Sequence, residues 1–397
     1  MRAAGGILSA PMSSSLSCPV LIVGASLGGC TAALELAKLG VPALLVDKSS
    51  FPRRKACGEG LSARGVAALK SCGFDPRERS LESAELTGYR LVDGARETAL
   101  HSSEPILGVK RSILDATLLE LALAKPSISL RQGAVVRDVE REGSHFRVRI
   151  GSDVVRAQSL IVADGAASPT ATRLGLLTPK VSSRRVGCSS AWRVVRGALE
   201  KRVLVVLTRR GEFYLTPTGA SSVNISLLGD ARFVAECGSV DALKAWLSQR
   251  RGLLGVELEV ESPPLGAGPL NSQRRGSAIG SAFLVGDACE TFDPIGGMGM
   301  AHAVETGLMA ARAVRECLES GDIPAAARWY DRAQQRAARE MRGFTRLTSW
   351  MLGTGAGRAV MPCAVASGVA TRISHAAHSP GRASGWRLLL GAVGAAS

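Results

Sequence analysis

Two rhythms of apolar and polar residues run along the chain. Wholly apolar stretches at residues 20–23, 41–46, 160–163 and 282–285 read as strands covered on both faces, because such strands keep no polar side. Helical stretches lie between and after them: residues 31–39, stopped by Gly40; 62–70, opened by Ser62; 111–124; 301–320; and an amphipathic, arginine-rich stretch at 323–346. The other rhythm has a period of two. It marks strands at 127–131, 134–140, 145–150 and 154–157, at 86–92, and again at 203–207, 212–216 and 222–228. Within 181–269 a single helix is expected, at 240–250. Apolar strands alternating with helices, interrupted by a β-rich insert, predict an α/β fold with a parallel sheet and a separate antiparallel sheet.

Residues 18–48, CPVLIVGASLGGCTAALELAKLGVPALLVDK, form one unit of strand, glycine turn, helix and second strand. Such a unit binds the pyrophosphate of a dinucleotide. Gly24 permits the tight turn, Ser26, Leu27 and Gly29 shape it, and the helix points free N–H groups at the phosphate. Asp47 ends the second strand at the distance suited to a ribose hydroxyl, and Lys48 follows it. Ser26 stands where the middle glycine of the pattern is expected, flanked by Gly28 and Gly29.

The chain has 397 residues, with 49 Lys and Arg against 34 Asp and Glu, a formal charge of +15. That length suits two intertwined domains, and the charge suits an anionic cofactor, substrate or membrane surface. The arginines are scattered and not interleaved with aromatics, which argues against a nucleic-acid partner. Nine dispersed cysteines with no C-x-x-C pair suit a reducing cytoplasm and give no zinc spacing, so no metal is expected. Residues 1–17 are small and polar and read as a disordered leader, and no run approaches the length of a membrane span.

Four segments carry family resemblances. Residues 51–62, FPRRKACGEGLS, resemble the FPRxKxCGxxLS segment of the geranylgeranyl reductase family of flavoproteins. That resemblance implies a loop beside the flavin ring, with Arg54 among the cofactor contacts and Cys57 facing the ring as the candidate catalytic residue. Two roles are open to Cys57, lining the pocket, which is the favoured one, or donating a proton. Residues 111–118 resemble the R-x-x-L-D-x-x-L helix start of FAD-dependent hydroxylases, which implies that Arg111 touches the cofactor near its ribityl and phosphate groups. A guanidinium suits a phosphate through paired, charge-assisted hydrogen bonds. Asp164 and Gly165, at the end of an apolar strand, resemble the DG motif of class A flavin monooxygenases, which touches FAD and is linked to nicotinamide use.

Residues 286–300, GDACETFDPIGGMGM, resemble the GDA…P…G.G segment shared by FAD hydroxylases, halogenases and prenyl reductases. The resemblance implies Gly286 and Asp287 at the ribityl chain. It also implies Pro294, Gly297, Met298, Gly299 and Met300 along the isoalloxazine, with the next helix aimed at the flavin. Cys289 or Glu290 replaces the usual histidine, Ala301 replaces the hydroxylases' asparagine, and His302 reads as packing. Phe213, Tyr214 and Pro217 sit where prenyl reductases carry a Y/F-x-W-x-F-P motif, here without its Trp and second aromatic. They are the candidate substrate contacts.

The resemblances together imply a discontinuous Rossmann-like FAD-binding domain (residues 18–85, 105–180 and 270–340). An inserted antiparallel substrate-binding domain (86–104 and 181–269) and a C-terminal helical, basic segment (341–397) complete the chain. FAD is the implied cofactor. NAD(P)H is expected as a transient co-substrate, since no second glycine fingerprint follows a strand. The missing aromatic motif and the PIGGMGM stretch favour a monooxygenase that uses O2 to hydroxylate or epoxidise a hydrophobic small molecule. The FPRRKACGEGLS segment favours the alternative, a reductase saturating isoprenoid or polyene double bonds. A halogenase, or a flavin-free escort of prenylated GTPases, ranks below both, because no W-x-W-x-I-P stretch occurs and residues 286–300 are intact. After Glu340 acids cease while arginines continue. This tail is read first as a helical lid and second as a peripheral contact with an anionic membrane.

Overall fold

The computed structural model describes residues 16–79, 81–176, 180–181, 185–268, 270, 272–273 and 276–378. Two large sheets carry the chain. The first has the order Ala278–Ile279, Ala282–Leu284, Asp153–Val162, Leu16–Val23, Ala43–Val46 and Ile128–Arg131. From Ala282–Leu284 to Ile128–Arg131 every pairing is parallel. The stretches 20–23, 43–46, 160–162 and 282–284 are wholly apolar because both faces are covered there. Val20, Ile22 and Leu45 pack under the helices Leu27–Lys38 and Gly299–Ser320, whereas Leu21, Val23 and Leu44 join a core on the opposite face. The hairpin Val136–Glu142 and His145–Ile150 pairs antiparallel with the first half of Asp153–Val162. The stretches 154–157 and 160–163 thus form one strand, alternating in burial where the hairpin joins it and wholly buried beyond.

The second sheet has the order Val256–Ala267, Val186–Gly197, Ser222–Gly229, Gly211–Pro217, Val203–Leu207, Ser83–Asp93, Arg96–Val109 and Gly60–Leu61. It is antiparallel except where Val203–Leu207 runs parallel to Ser83–Asp93, so the insert is a mixed sheet. Three helices, Ala231–Cys237, Val240–Ser248 and Arg251–Leu254, stand where one was expected. Asp230 and Ser239 start the first two by accepting from Phe233 N and Ala242 N, and Trp246 stacks on Phe213 at 4.1 Å.

The expected boundaries shift in two places. Residues 16 and 17 begin the first strand, while residues 1–15 of the expected leader lie outside the described residues. Ile323–Gly353 is a single helix that runs through the expected break at residue 341, because nothing between Glu340 and Gly353 interrupts its apolar stripe. The helices Gly355–Ala366 and Val369–His378 follow, and residues 379–397 lie outside the described residues. No helix among the described residues is long and apolar enough to cross a membrane.

The contact between Leu27–Lys38 and Gly299–Ser320 fixes the first helix against the sheet, and it depends on backbone approach. A Cβ on Gly307 would lie 2.5 Å from the Gly28 carbonyl oxygen. Gly307→Val should therefore cost about 1–3 kcal/mol of stability through overpacking. Gly252→Ala, with nothing within 4 Å of the added carbon, should not destabilise the protein. Urea midpoints of the two variants measure the contrast.

Candidate active site

A cavity of about 430 Å³ lies where the two sheets meet. One side is polar and built from segments distant in sequence: the Ser26–Gly28 turn, the loop at 55–60, Arg111, Gly165, and the run from Gly286 to Met300. The other side is supplied mainly by the second sheet, through Tyr89, Ile106, Val203, Tyr214 and Leu228.

The polar side is held by a buried network. Arg111 donates through Nε and Nη2 to the two carboxylate oxygens of Asp115, at 3.0 and 2.9 Å, and through Nη2 to Ser26 Oγ at 2.7 Å. Ser26 Oγ in turn donates to Asp115 Oδ2 at 2.8 Å. Because Ser26 is spent on this network, the helix Leu27–Lys38 has no side-chain cap, and its first N–H groups face the cavity. The helix Gly299–Ser320 also starts without a side-chain cap, at Met298, on the same cavity. Two uncapped N-termini make this side a seat for anionic groups.

Asp47 and Asp164 brace the turns around the seat. Asp47 accepts from Ala25 N and from Ser49 N, each at 2.8 Å. Asp164 accepts from Ser168 Oγ and from Thr170 N. Gly24 takes φ +102°, and a Cβ there would meet the Ala163 oxygen at 2.3 Å. A Cβ on Gly29 would meet the Gly24 oxygen at 1.8 Å.

The 51–62 loop is pinned at Cys57. Its N–H donates to Ser189 Oγ at 3.1 Å, and its carbonyl accepts from Asn224 Nδ2 at 2.9 Å and Ser226 Oγ at 3.4 Å. The Cys57 sulfur accepts from Glu59 N at 3.4 Å and lies near enough to the Arg111 guanidinium to interact with it. Glu59 adopts φ +58°, and its Oε1 accepts from Arg111 N at 2.9 Å, acting as the cap of the Arg111–Leu123 helix. Burial raises the Glu59 carboxyl to about 7, against the weaker pull of Arg111. Burial works to raise Asp287, but the Lys55 ammonium 3.1 Å away and Arg111 beyond it together outweigh burial and hold the carboxyl below its usual value. His302, fully buried with no hydrogen-bond partner on either ring nitrogen among the described residues, is depressed by burial to about 4. Its ring stands edge-on to Phe292 at 5.0 Å.

Of the residues singled out in the sequence, Ser26, Leu27, Cys57, Arg111, Gly165, Gly286, Asp287, Pro294 and Gly297–Met300 meet on the cavity wall. Gly24, Asp47 and Asp164 stand behind it in the turns, and Gly29 in the first turn of the helix Leu27–Lys38. Lys48 is exposed and off the wall, and Arg54 points elsewhere, donating to the Pro263 carbonyl at 2.6 Å. Tyr214 faces the cavity, and burial raises its phenol well above the ordinary value. Phe213 and Pro217 do not. Alternation along Gly211–Pro217 turns them to the other face, where Phe213 belongs to the core under Trp246, so they are not cavity contacts.

Sequence reading missed Lys55 and Glu59, although both lie in the FPRRKACGEGLS segment, because a charged loop residue reads as solvated. It also missed Ser189, Asn224 and Ser226. Polar residues on one face of a strand read as solvent-facing, whereas here that face receives the 55–60 loop. The donor set fits a bound dinucleotide: unbranched turn backbone, two open helix N-termini, a buried arginine, and the Asp287 carboxylate with a third of its side chain exposed.

Two predictions follow from this geometry. Asp287→Ala should fold normally and bind FAD roughly ten- to a hundred-fold more weakly, the worth of about 1.5–3 kcal/mol for a hydrogen bond to a charged group. Fluorescence titration measures it. Glu59 ionises near 4.5 when unfolded and near 7 when folded. As pH rises between those values the unfolded chain releases its proton first, so the group progressively destabilises the fold. Glu59→Gln keeps an acceptor for Arg111 N–H and removes the titration. Its stability relative to the unsubstituted protein should increase by roughly 1–3 kcal/mol from pH 4.5 to 7 and stay level above. Urea unfolding across that range is the test, and a constant difference would show that the carboxyl is not shifted.

Comparison with known proteins places this geometry. A family model described as FAD binding domain matches residues 17–222. The chain is 28% identical over 330 residues to menaquinone reductase of Mycobacterium tuberculosis, covering 77% of this chain and 78% of that protein. It is 25% identical over 322 residues to digeranylgeranylglycerophospholipid reductase of Thermoplasma volcanium, covering 76% and 79%. The solved structure of the flavin-dependent brominase Bmp2 superposes with a TM-score of 0.77 at 16% identity, over 96% of this chain and 100% of that one. The family match takes in the dinucleotide turn, the Arg111 network and the Asp164 loop, more than half of the chain, so the chain belongs to the FAD binding domain family, as an FAD-dependent oxidoreductase.

Proposed function

We propose that this protein is a reductase that saturates a carbon–carbon double bond of an isoprenoid-bearing substrate, drawing its electrons from NAD(P)H. The observation that carries this reading is a thiol and a carboxyl, Cys57 and Glu59, placed together on the polar rim of a largely apolar chamber. The two named reductases, each matched over three quarters of this chain, support it. FAD, bound and reduced, supplies hydride chemistry at this place. The Ser26–Gly28 turn and its helix would hold the pyrophosphate. Asp287, Arg111 and the backbone of Gly297–Met300 would hold the rest of the cofactor.

Saturating an olefin adds a hydride to one carbon and a proton to the other. The chain's own task is to keep that proton ready in a place from which water is excluded. Glu59 Oε1 is occupied by Arg111 N–H, which leaves Oε2 to carry the proton, and a carboxyl near 7 is substantially protonated at neutral pH. The Cys57 thiol stands two residues away on the same wall. Tyr89, Ile106, Val203 and Leu228 form the surface along which an apolar chain lies.

A specific observation favours a second reading, monooxygenation. The strand Gly211–Pro217 presents only Tyr214 and Thr216 to the cavity, short of the aromatic set that the prenyl reductases carry. The reactions differ in their need for oxygen. The test is incubation with a polyprenyl quinone or a geranylgeranyl lipid and NAD(P)H, in parallel without oxygen and under labelled oxygen. The expected product gains two hydrogens in both vessels. Incorporated label, with no product in the anaerobic vessel, would overturn the reductase reading in favour of oxygen insertion.

A further inference from the structure

The helices Gly355–Ala366 and Val369–His378 have two different faces. The inner face closes the cavity from behind. Met361, with Leu352 of the preceding helix, packs with Ile295, Val203 and Tyr89, which line it. Ile373 and Ala377 pack against Phe292 and Met298, which also line it. His378 Nε2 lies 3.2 Å from the Gly296 carbonyl oxygen and anchors the last helix to the same loop.

The outer face is apolar and bare. Val360 is 48% exposed and Val369 36%, and Trp350, at the end of the preceding helix, is 46% exposed. The exposed positions between Gly355 and Ala366 are glycine, alanine, valine, proline and cysteine. From Met341 to His378 there is no acidic residue and there are four arginines. Arg342 and Arg358 are neutralised by Glu290 at 2.7 Å and Asp93 at 3.2 Å. Arg346 and Arg372 form no salt bridge among the described residues. Arg346 lies one turn before Trp350, and Arg372 lies one turn after Val369, so each cation shares a helix face with an exposed apolar side chain.

We propose that this outer face seats the protein on an anionic lipid bilayer. An exposed apolar helix face rimmed by cations and containing tryptophan gains both by burying side chains in the interface and by attraction to anionic head groups. Charge argues against the other occupants. A second copy would bring two acid-free, arginine-bearing faces together. Residues 379–397 add Arg382 and Arg387 and no acid, so their charge does not complement this face. Seating here turns the closed back wall of the cavity toward the lipid. The docking does not rest on the proposed reductase reading.

The test is co-sedimentation of the full FAD-loaded chain with vesicles. One set is phosphatidylcholine alone, and the other mixes phosphatidylcholine with phosphatidylglycerol. Binding is expected to be at least ten-fold stronger to the mixed vesicles and to weaken on addition of salt. The exposed pair Val360→Asp with Val369→Asp, and separately Arg346→Glu with Arg372→Glu, should each lower it ten-fold or more with flavin absorbance unchanged. No preference for the anionic vesicles would overturn the proposal. So would binding that survives both pairs of substitutions, or a concentration-dependent dimer that Val360→Asp disrupts. Turnover is not needed for any of these readouts, so the result does not depend on which reaction the site performs.

Discussion

The site hangs on one buried charge. Arg111 is 3% exposed and joins three segments that are far apart in sequence: the glycine turn through Ser26, the 51–62 loop through Glu59, and its own helix through Asp115. A guanidinium away from water is tolerated only with its donors satisfied and its charge opposed, and breaking such a pair from one side costs about 3–5 kcal/mol. Asp115, fully buried, supplies the opposing charge. The consequence reaches further than the pair. Ser26 is drawn away from capping its helix, which keeps that N-terminus open, and Glu59 is drawn in as a cap, which buries its carboxyl. One ion pair therefore sets both the anion seat and the raised acid.

Much of this was legible in the sequence because it rests on local chemistry. The βαβ unit declares itself by an apolar strand, a glycine turn and Asp47, and the structure forms it with Asp47 bracing Ala25 N. The position of Arg111 was legible from a motif, although its partners were not. Arg111 and Asp115 stand four apart on one helix, but nothing in the spacing of Ser26, Glu59 and Arg111 says that they meet, because the fold alone brings those three together. Phe213 shows the opposite failure. A motif placed it at the substrate, but a strand gives alternate residues to opposite faces, and the register set by pairing with Ser222–Gly229 assigned the cavity to Tyr214.

The polar face of Ser222–Gly229 was misleading for a related reason. Every residue of that strand is buried. Asn224 and Ser226 are covered by the Cys57 loop, whose backbone consumes their hydrogen bonds. The partner of a polar strand face is ordinarily water. Here it is a loop from residues more than a hundred and sixty positions away, which no pattern within the strand encodes.

The division of the cavity follows from what each sheet can provide. The parallel sheet ends in turns and helix N-termini, so its contribution is backbone N–H groups and the few side chains that the turns admit. The mixed sheet contributes a face of alternating side chains, and at the cavity that face is apolar apart from tyrosine, serine and threonine. Two buried polar groups there have no hydrogen-bond partner among the described residues: the Tyr214 hydroxyl on the wall, and the His302 ring just behind Phe292. Each such group costs about 1–3 kcal/mol. These two costs fall along the seam where polar and apolar sides meet. Charge bound at the two open helix N-termini would act on both groups through a low-dielectric interior, where it is felt at short range far more than in water. The seam is therefore where occupancy of the polar seat and the character of the apolar chamber become coupled.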